Sequence, residues 1–294
     1  MRPNLGMLYS APQTVWLTVF FIAPLLIIVA YSFLRKGLYG GIMEPPEFTL
    51  DAYKALKNPN IAAIALKTLV ISLISTFITI ILALPCGYFM AKSKRQTLLL
   101  LLIIIPFWTN FLIRVFAWMN ILGNNGFLNS FLMRLNIIKD YIPFLYNKNS
   151  VILVLVYMYL PYAILPLFSS IDKFDFSLIE AARDLGAPKP LAIIKVLFPN
   201  IRSGIYTAVL FTFIPIFGSY AVPLLVGGKD SYMLGNVIAD QLTKSRNWPL
   251  ASAISMALTV VTTSGVIIML ALQRRDAARL ASSKSKKSGE QPPL

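Results

Sequence analysis

Long uncharged apolar runs alternate with short polar intervals along the whole chain. Six of the runs approach or exceed the roughly 20 residues that a helix needs to cross a hydrocarbon core. They are Val15–Leu34, Thr68–Ala91, Gln96–Ile113, Ser150–Ile171, Ser203–Gly228 and Trp248–Leu272. The second helix is expected to begin near Ile61, and the third to continue past Arg114 to about Leu122. The pattern predicts an all-α, polytopic membrane protein with six transmembrane helices. Residues 1–13 form a cytoplasmic N-terminus, residues 14–273 the membrane domain, and residues 274–294 a basic tail expected to be disordered. The first run is read as a span, because it is too long for a cleavable signal and no small-residue cleavage site follows it. Prolines recur inside the runs (Pro24, Pro85, Pro106, Pro161, Pro166, Pro215, Pro223), and each removes a helical hydrogen bond and bends its axis.

Residues 172–201 form the polar-bearing interval around which the chain is organised. Leu178–Leu185 consists of good helix formers, with Glu180 and Asp184 one turn apart. Gly186 can take the left-handed geometry that ends a helix, and Pro188 disfavours a helical Ala187. Pro190 suits the first turn of a second helix, Leu191–Leu197. Ala181, Ala182 and Gly186 are small, so another surface can approach this backbone closely. The result is a stiff elbow with a small-residue face.

Composition supports the membrane reading. Apolar residues make up 57% of the chain and charged residues 13%, with a mean hydropathy of +0.69. Soluble domains are nearer 45–50% apolar and about 25% charged. There is no histidine and one cysteine, Cys86, within an apolar run. That excludes a metal site of the usual nitrogen and sulfur ligands, an intrachain disulfide and a histidine-based triad. The net charge of +15 lies mostly in the intervals between runs, so it orients the chain in the bilayer and does not mark a nucleic-acid binder. The Lys92, Lys94, Arg95 turn and the tail from Arg274 carry the clearest bias, which places both termini and the Glu180 elbow in the cytoplasm. The basic tail is suited to lie on anionic lipid.

Arg114 is the most informative charge in the apolar runs. A charge at membrane depth faces protein, a cavity or the interface. On a continuous third helix it would lie about 27 Å from Gln96, near the outer boundary. There it would either snorkel or hydrogen-bond the carbonyls of a broken neighbouring helix. Trp108, Asn110, Tyr157, Tyr159, Tyr162, Phe217 and Tyr220 are candidates to line a path. Aromatic faces hold a cation by about 0.5–2 kcal/mol, weak enough to release it. Asp230 and Asp240, in an outer interval, are candidates to guide a cation inward. No Asp or Glu lies within the six runs, so tight cation binding has to come from a partner. No phosphate-cradling loop or catalytic constellation is present, so this chain is not an enzyme and any ATP and Mg are bound by a partner. A secondary transporter would call for intramembrane acids or an inverted repeat, and neither is evident.

Glu180-Ala181-Ala182, three residues, Gly186, nine residues, then Val196, Leu197 and Phe198-Pro199 resembles the signature loop of permease subunits of ATP-binding-cassette importers. The family more usually has Ile and Leu-Pro at the end of this pattern. Three further stretches resemble its spermidine and putrescine branch: Pro106–Asn110 with Leu112–Arg114, Ser169–Lys173, and Leu234–Ile238 followed by Asn247–Pro249. The resemblance covers about Phe48 to Gln273, and permeases for thiamine, iron or phosphonates share parts of these motifs. It implies the type I importer fold, with Glu180, Ala181, Ala182, Asp184 and Gly186 as the loop that meets the ATPase. It also implies a bacterial inner-membrane complex of two ATPase copies, a second permease subunit and an extracytoplasmic polyamine-binding protein. Intervals 227–248 and 124–149 would form the docking face for that binding protein.

Overall fold

A computed structural model describes residues 5–288, with side chains for residues 10–275. Helices dominate, and among the described residues there are two isolated bridges, Leu34 with Phe48 and Lys36 with Ile42, and no strand. Among the described residues, four helices are long and apolar enough to cross a membrane: Ser10–Ser32 (α1), Pro59–Lys92 (α2), Lys148–Asp172 (α6) and the Trp248–Arg275 part of Trp248–Ser288 (α12). Two bent pairs bring the number to six if each is one span. The first pair begins with Gln96–Trp108 (α3) and turns by 90° into Phe111–Leu122 (α4) and Phe127–Arg134 (α5). The second joins Lys189–Asn200 (α8) to Arg202–Phe217 (α9) at 74°. Between the long helices lie Ser177–Asp184 (α7), Ala221–Val226 (α10) and Leu234–Thr243 (α11).

The chain divides into two compact units. One comprises residues 5–66 with Met233–Val261. In it Tyr31 stacks on Trp248 at 6.3 Å, and Arg35 meets Glu47 at 2.6 Å. Helix α1 is apolar and exposed, as a lipid-facing or partner-facing helix would be.

The second unit comprises Lys67–Tyr232 with residues 262–288. Its centre is α6, whose most apolar window is 56% buried. Helix α9 packs along α6. Small residues make this close approach possible: a Cβ on Gly204 would overlap the Ser170 side chain, and one on Gly87 would lie 3.2 Å from the Phe168 nitrogen. Ala83, Met90, Ala163, Ile164, Leu167 and Ala208 form one buried cluster. A second, built from Ile171, Ile179, Ala192, Leu197 and Ile201, joins α7 and α8 to the ends of α6 and α9.

Three sequence expectations are corrected. The third span is not continuous to Leu122. Pro106 opens a 3₁₀ turn over Ile105–Trp108, Thr109 and Asn110 are extended, and the Asn110 side chain caps the next helix by accepting from the Leu112 N–H at 2.8 Å. The fifth span is not a single helix to Gly228. It stops at Phe217, Gly218 closes its last turn, and α10 follows as a separate segment. The tail is helical to Ser288, because nothing from Arg274 to Ser288 is a proline or glycine that would interrupt the backbone ladder. Residues 289–294 of the tail, and residues 1–4 of the N-terminal segment, lie outside the described residues.

Candidate functional site

The elbow takes its form from a few residues. Asp175 begins it: its Oδ1 accepts from the Ser177 N–H at 3.0 Å. Hydrogen bonds from the Ser177 side chain and backbone hold this carboxyl below the ordinary carboxylate range. Helix α7 then runs to Asp184, and Gly186 adopts a φ of +89°. The Gly186 N–H donates to the Arg183 carbonyl at 2.8 Å, and the Ala187 N–H to the Ala182 carbonyl at 3.1 Å. These paired bonds are the glycine-terminated Schellman cap, which satisfies the last carbonyls of a helix. Pro188 is extended and Pro190 lies in the first turn of α8, as the sequence predicts.

Burial divides the elbow into two faces. Ile179, Ala192 and Leu197 anchor it in the second core cluster. Glu180, Ala181, Arg183, Asp184 and Gly186 are exposed, and Ala182 is half-buried. The tip is Leu185, 90% exposed. It stands at the end of a capped helix, beside the small residues Ala181 and Gly186. The sequence reading passed over it, although its place directly before the left-handed glycine signalled that it would point outward. A concave surface of ≈ 410 Å³ lies alongside, lined by Glu180, Arg183, Asp184, Gly186, Ala187, Pro188 and Lys189.

The candidate path residues are only partly gathered. Tyr157 lies between the Phe107 ring at 6.1 Å and the Trp118 ring at 5.2 Å. Trp118 was not foreseen, since helical spacing on a single span does not show what a bent neighbour brings over it. Tyr162 is 5.8 Å from Tyr159 and half exposed. Trp108 is 84% exposed at the helix break, and Asn110 serves as the helix cap described above. Tyr220 lies at the start of α10, half exposed, and Phe217 is buried and stacks on Phe213.

Arg114 differs from both readings offered for it. The helix break removes the geometry that put it about 27 Å along one rod. Its guanidinium lies over the Phe107 ring at 4.5 Å, and its buried Nε and Nη1 have no hydrogen-bond partner, so they do not bond the carbonyls of the broken helix. Asp230 accepts from the Lys148 N–H at 3.2 Å, in the first turn of α6, where the helix dipole favours an anion. Asp240 pairs with Lys244 at 2.7 Å in the other unit. Among the described residues no group of three His, Cys, Asp or Glu side chains forms a metal site.

The chain is a helical membrane protein that carries an exposed, capped elbow. Comparison with known proteins agrees. Residues 61–280 match the family described as binding-protein-dependent transport system inner membrane component. The spermidine/putrescine transport system permease protein PotB of Escherichia coli (strain K12) is 39% identical over 248 residues, covering 84% of this chain and 90% of that protein. PotB of Haemophilus influenzae is also 39% identical over 248 residues, covering 84% of this chain and 86% of that protein. A bacterial transporter involved in the import of the acidic polysaccharide alginate has a chain that superposes with a TM-score of 0.74 at 16% identity, covering 92% of this chain and 96% of that one. The chain therefore belongs to the family of binding-protein-dependent inner-membrane transport components, and its fold is that of a type I ABC importer transmembrane domain.

Proposed function

We propose that this chain is the permease subunit of an ATP-driven importer that moves polyamines, spermidine or putrescine, into the bacterial cytoplasm. The substrate class rests on relatives 39% identical over 84% of the chain that are named as spermidine/putrescine permeases. The coupling role rests on one observation: an outward-facing elbow, capped at Gly186 and tipped by exposed Leu185, whose other face is packed into the ends of α6 and α9.

In this reading both termini and the elbow lie in the cytoplasm. Two ATPase copies bind ATP and Mg, and one seats the elbow in a groove. When the ATPases close, they push on α7. The push passes through Ile179, Ala192 and Leu197 to α6 and α9, which tilt together because they are packed closely along their length. Tilting alternates the access of a cavity shared with a second permease subunit. An extracytoplasmic polyamine-binding protein delivers the cargo and supplies the affinity that spans without acidic residues lack. The half-exposed rings of Tyr162 and Tyr220 offer weak stations to an ammonium group.

The test is uptake of labelled putrescine and spermidine by cells lacking this chain, together with co-purification of an ATPase. Loss of uptake that the restored gene repairs supports the reading. Unchanged uptake of both amines would remove the substrate assignment, and solute movement by the isolated chain without ATP would remove the coupling role.

A further inference from the structure

The elbow is also held from a side that the signature loop does not include. Lys92, the last residue of α2, places its ammonium 4.7 Å from the centre of the Phe176 ring and 5.4 Å from that of Tyr88. Phe176 is the residue immediately before α7. It meets Phe174 edge-on at 5.4 Å and Tyr88 at 6.0 Å, so three rings and one cation surround the entrance to the elbow. Four residues further on, the Gln96 Nε2 donates to the Asp172 carboxylate at 2.8 Å and to the Ala91 carbonyl at 3.0 Å. Asp172 is the last residue of α6.

We infer that Lys92 and Gln96 are positioning residues that clamp the entrance of the elbow, Asp172–Phe176, to the turn between α2 and α3, so that a push on the elbow moves α2 and α3 together with α6 and α9. The argument is mechanical. A stroke delivered at Leu185 reaches α6 through a short connection, and a connection free to swing absorbs the stroke. Two contacts four residues apart on one turn, gripping the connection at Asp172 and at Phe176, fix both its position and its direction. A cation held over aromatic rings suits this place, because it keeps part of its strength at a wetted surface and tolerates sliding better than a hydrogen bond. The amide of Gln96 supplies the directional half of the grip. This inference rests on the coupling role proposed above.

The test uses the whole complex in proteoliposomes, with uptake and ATP hydrolysis measured in the same sample. Lys92→Met keeps the length of the side chain and removes its charge, whereas Lys92→Arg keeps a cation over the rings. The molecules imported per ATP hydrolysed are expected to fall about two- to fivefold in Lys92→Met, in line with an exposed contact of this class. They are expected to fall further in Lys92→Met with Gln96→Ala, and to stay near wild type in Lys92→Arg. Phe176→Leu should match Lys92→Met, and Phe176→Tyr should match wild type. The amount of assembled complex should not change across the set. An unchanged ratio in the double variant overturns the clamp, as does Lys92→Arg failing as badly as Lys92→Met. Absence of ATP-dependent uptake in the wild-type complex overturns the underlying coupling role instead.

Discussion

Gly186 shows how much of the elbow rests on one residue. A Cβ there would meet nothing within 4 Å, so the cost of a side chain is wholly in the backbone, which is held at a φ of +89°. Left-handed backbone costs ordinary L-residues about 1–2 kcal/mol, and asparagine bears it more easily than β-branched residues. Uptake is therefore expected to follow the order Gly186, Gly186→Asn, Gly186→Ala, Gly186→Val, with the valine variant hydrolysing ATP without matching transport. Equal uptake by the asparagine and valine variants in vesicles would contradict this. Asp175 makes a prediction about pH. Its carboxyl is held below the usual range in the folded state, so the cap it provides is complete above that range. The cap is lost only as the pH falls through the depressed value. The Ser177 amide resonance should hold its position from neutral pH down into the carboxylate range and shift below it. In Asp175→Ala it should sit at the uncapped position throughout.

Helices α6 and α9 form the element through which a stroke has to pass, and their contact is set by size. A side chain on Gly204 would collide with Ser170, so Gly204→Ala should loosen the pair by about 1–3 kcal/mol, the usual cost of overpacking. Combining it with Ser170→Gly should recover most of the lost thermal midpoint in detergent; no recovery would mean that the two helices do not meet there. The spans and the elbow were legible because the pattern behind each is local: long apolar runs for the one, and Gly186, Pro188 and Pro190 for the other. The 90° break after Trp108 was not read, although Pro106 and the helix-capping Asn110 both stood in the sequence. Apolar runs continue across such a break without interruption, so hydropathy sees one helix where the backbone makes two. For the same reason the straight-rod distance of about 27 Å does not apply to Arg114. Its seat over Phe107 depends on how a bent chain folds back, and spacing along one axis does not carry that.

At the scale of the whole molecule, the proposed function makes this chain one of two permease subunits driven from the cytoplasmic side. The six apolar runs contain no acidic residue with which to hold a cation, and the chain has no phosphate-binding loop with which to use ATP. Both functions are assigned to partners, and the elbow is the part that must face one of them. Leu185 offers a direct test because it is 90% exposed and the chain has a single natural cysteine. In a Cys86→Ser background, Leu185→Cys can be labelled with a membrane-impermeant thiol reagent applied to right-side-out or inverted vesicles. Labelling is predicted only in inverted vesicles, and it should fall when the ATPase is bound. Labelling from the outer face, or labelling that the bound ATPase leaves unchanged, would contradict the account.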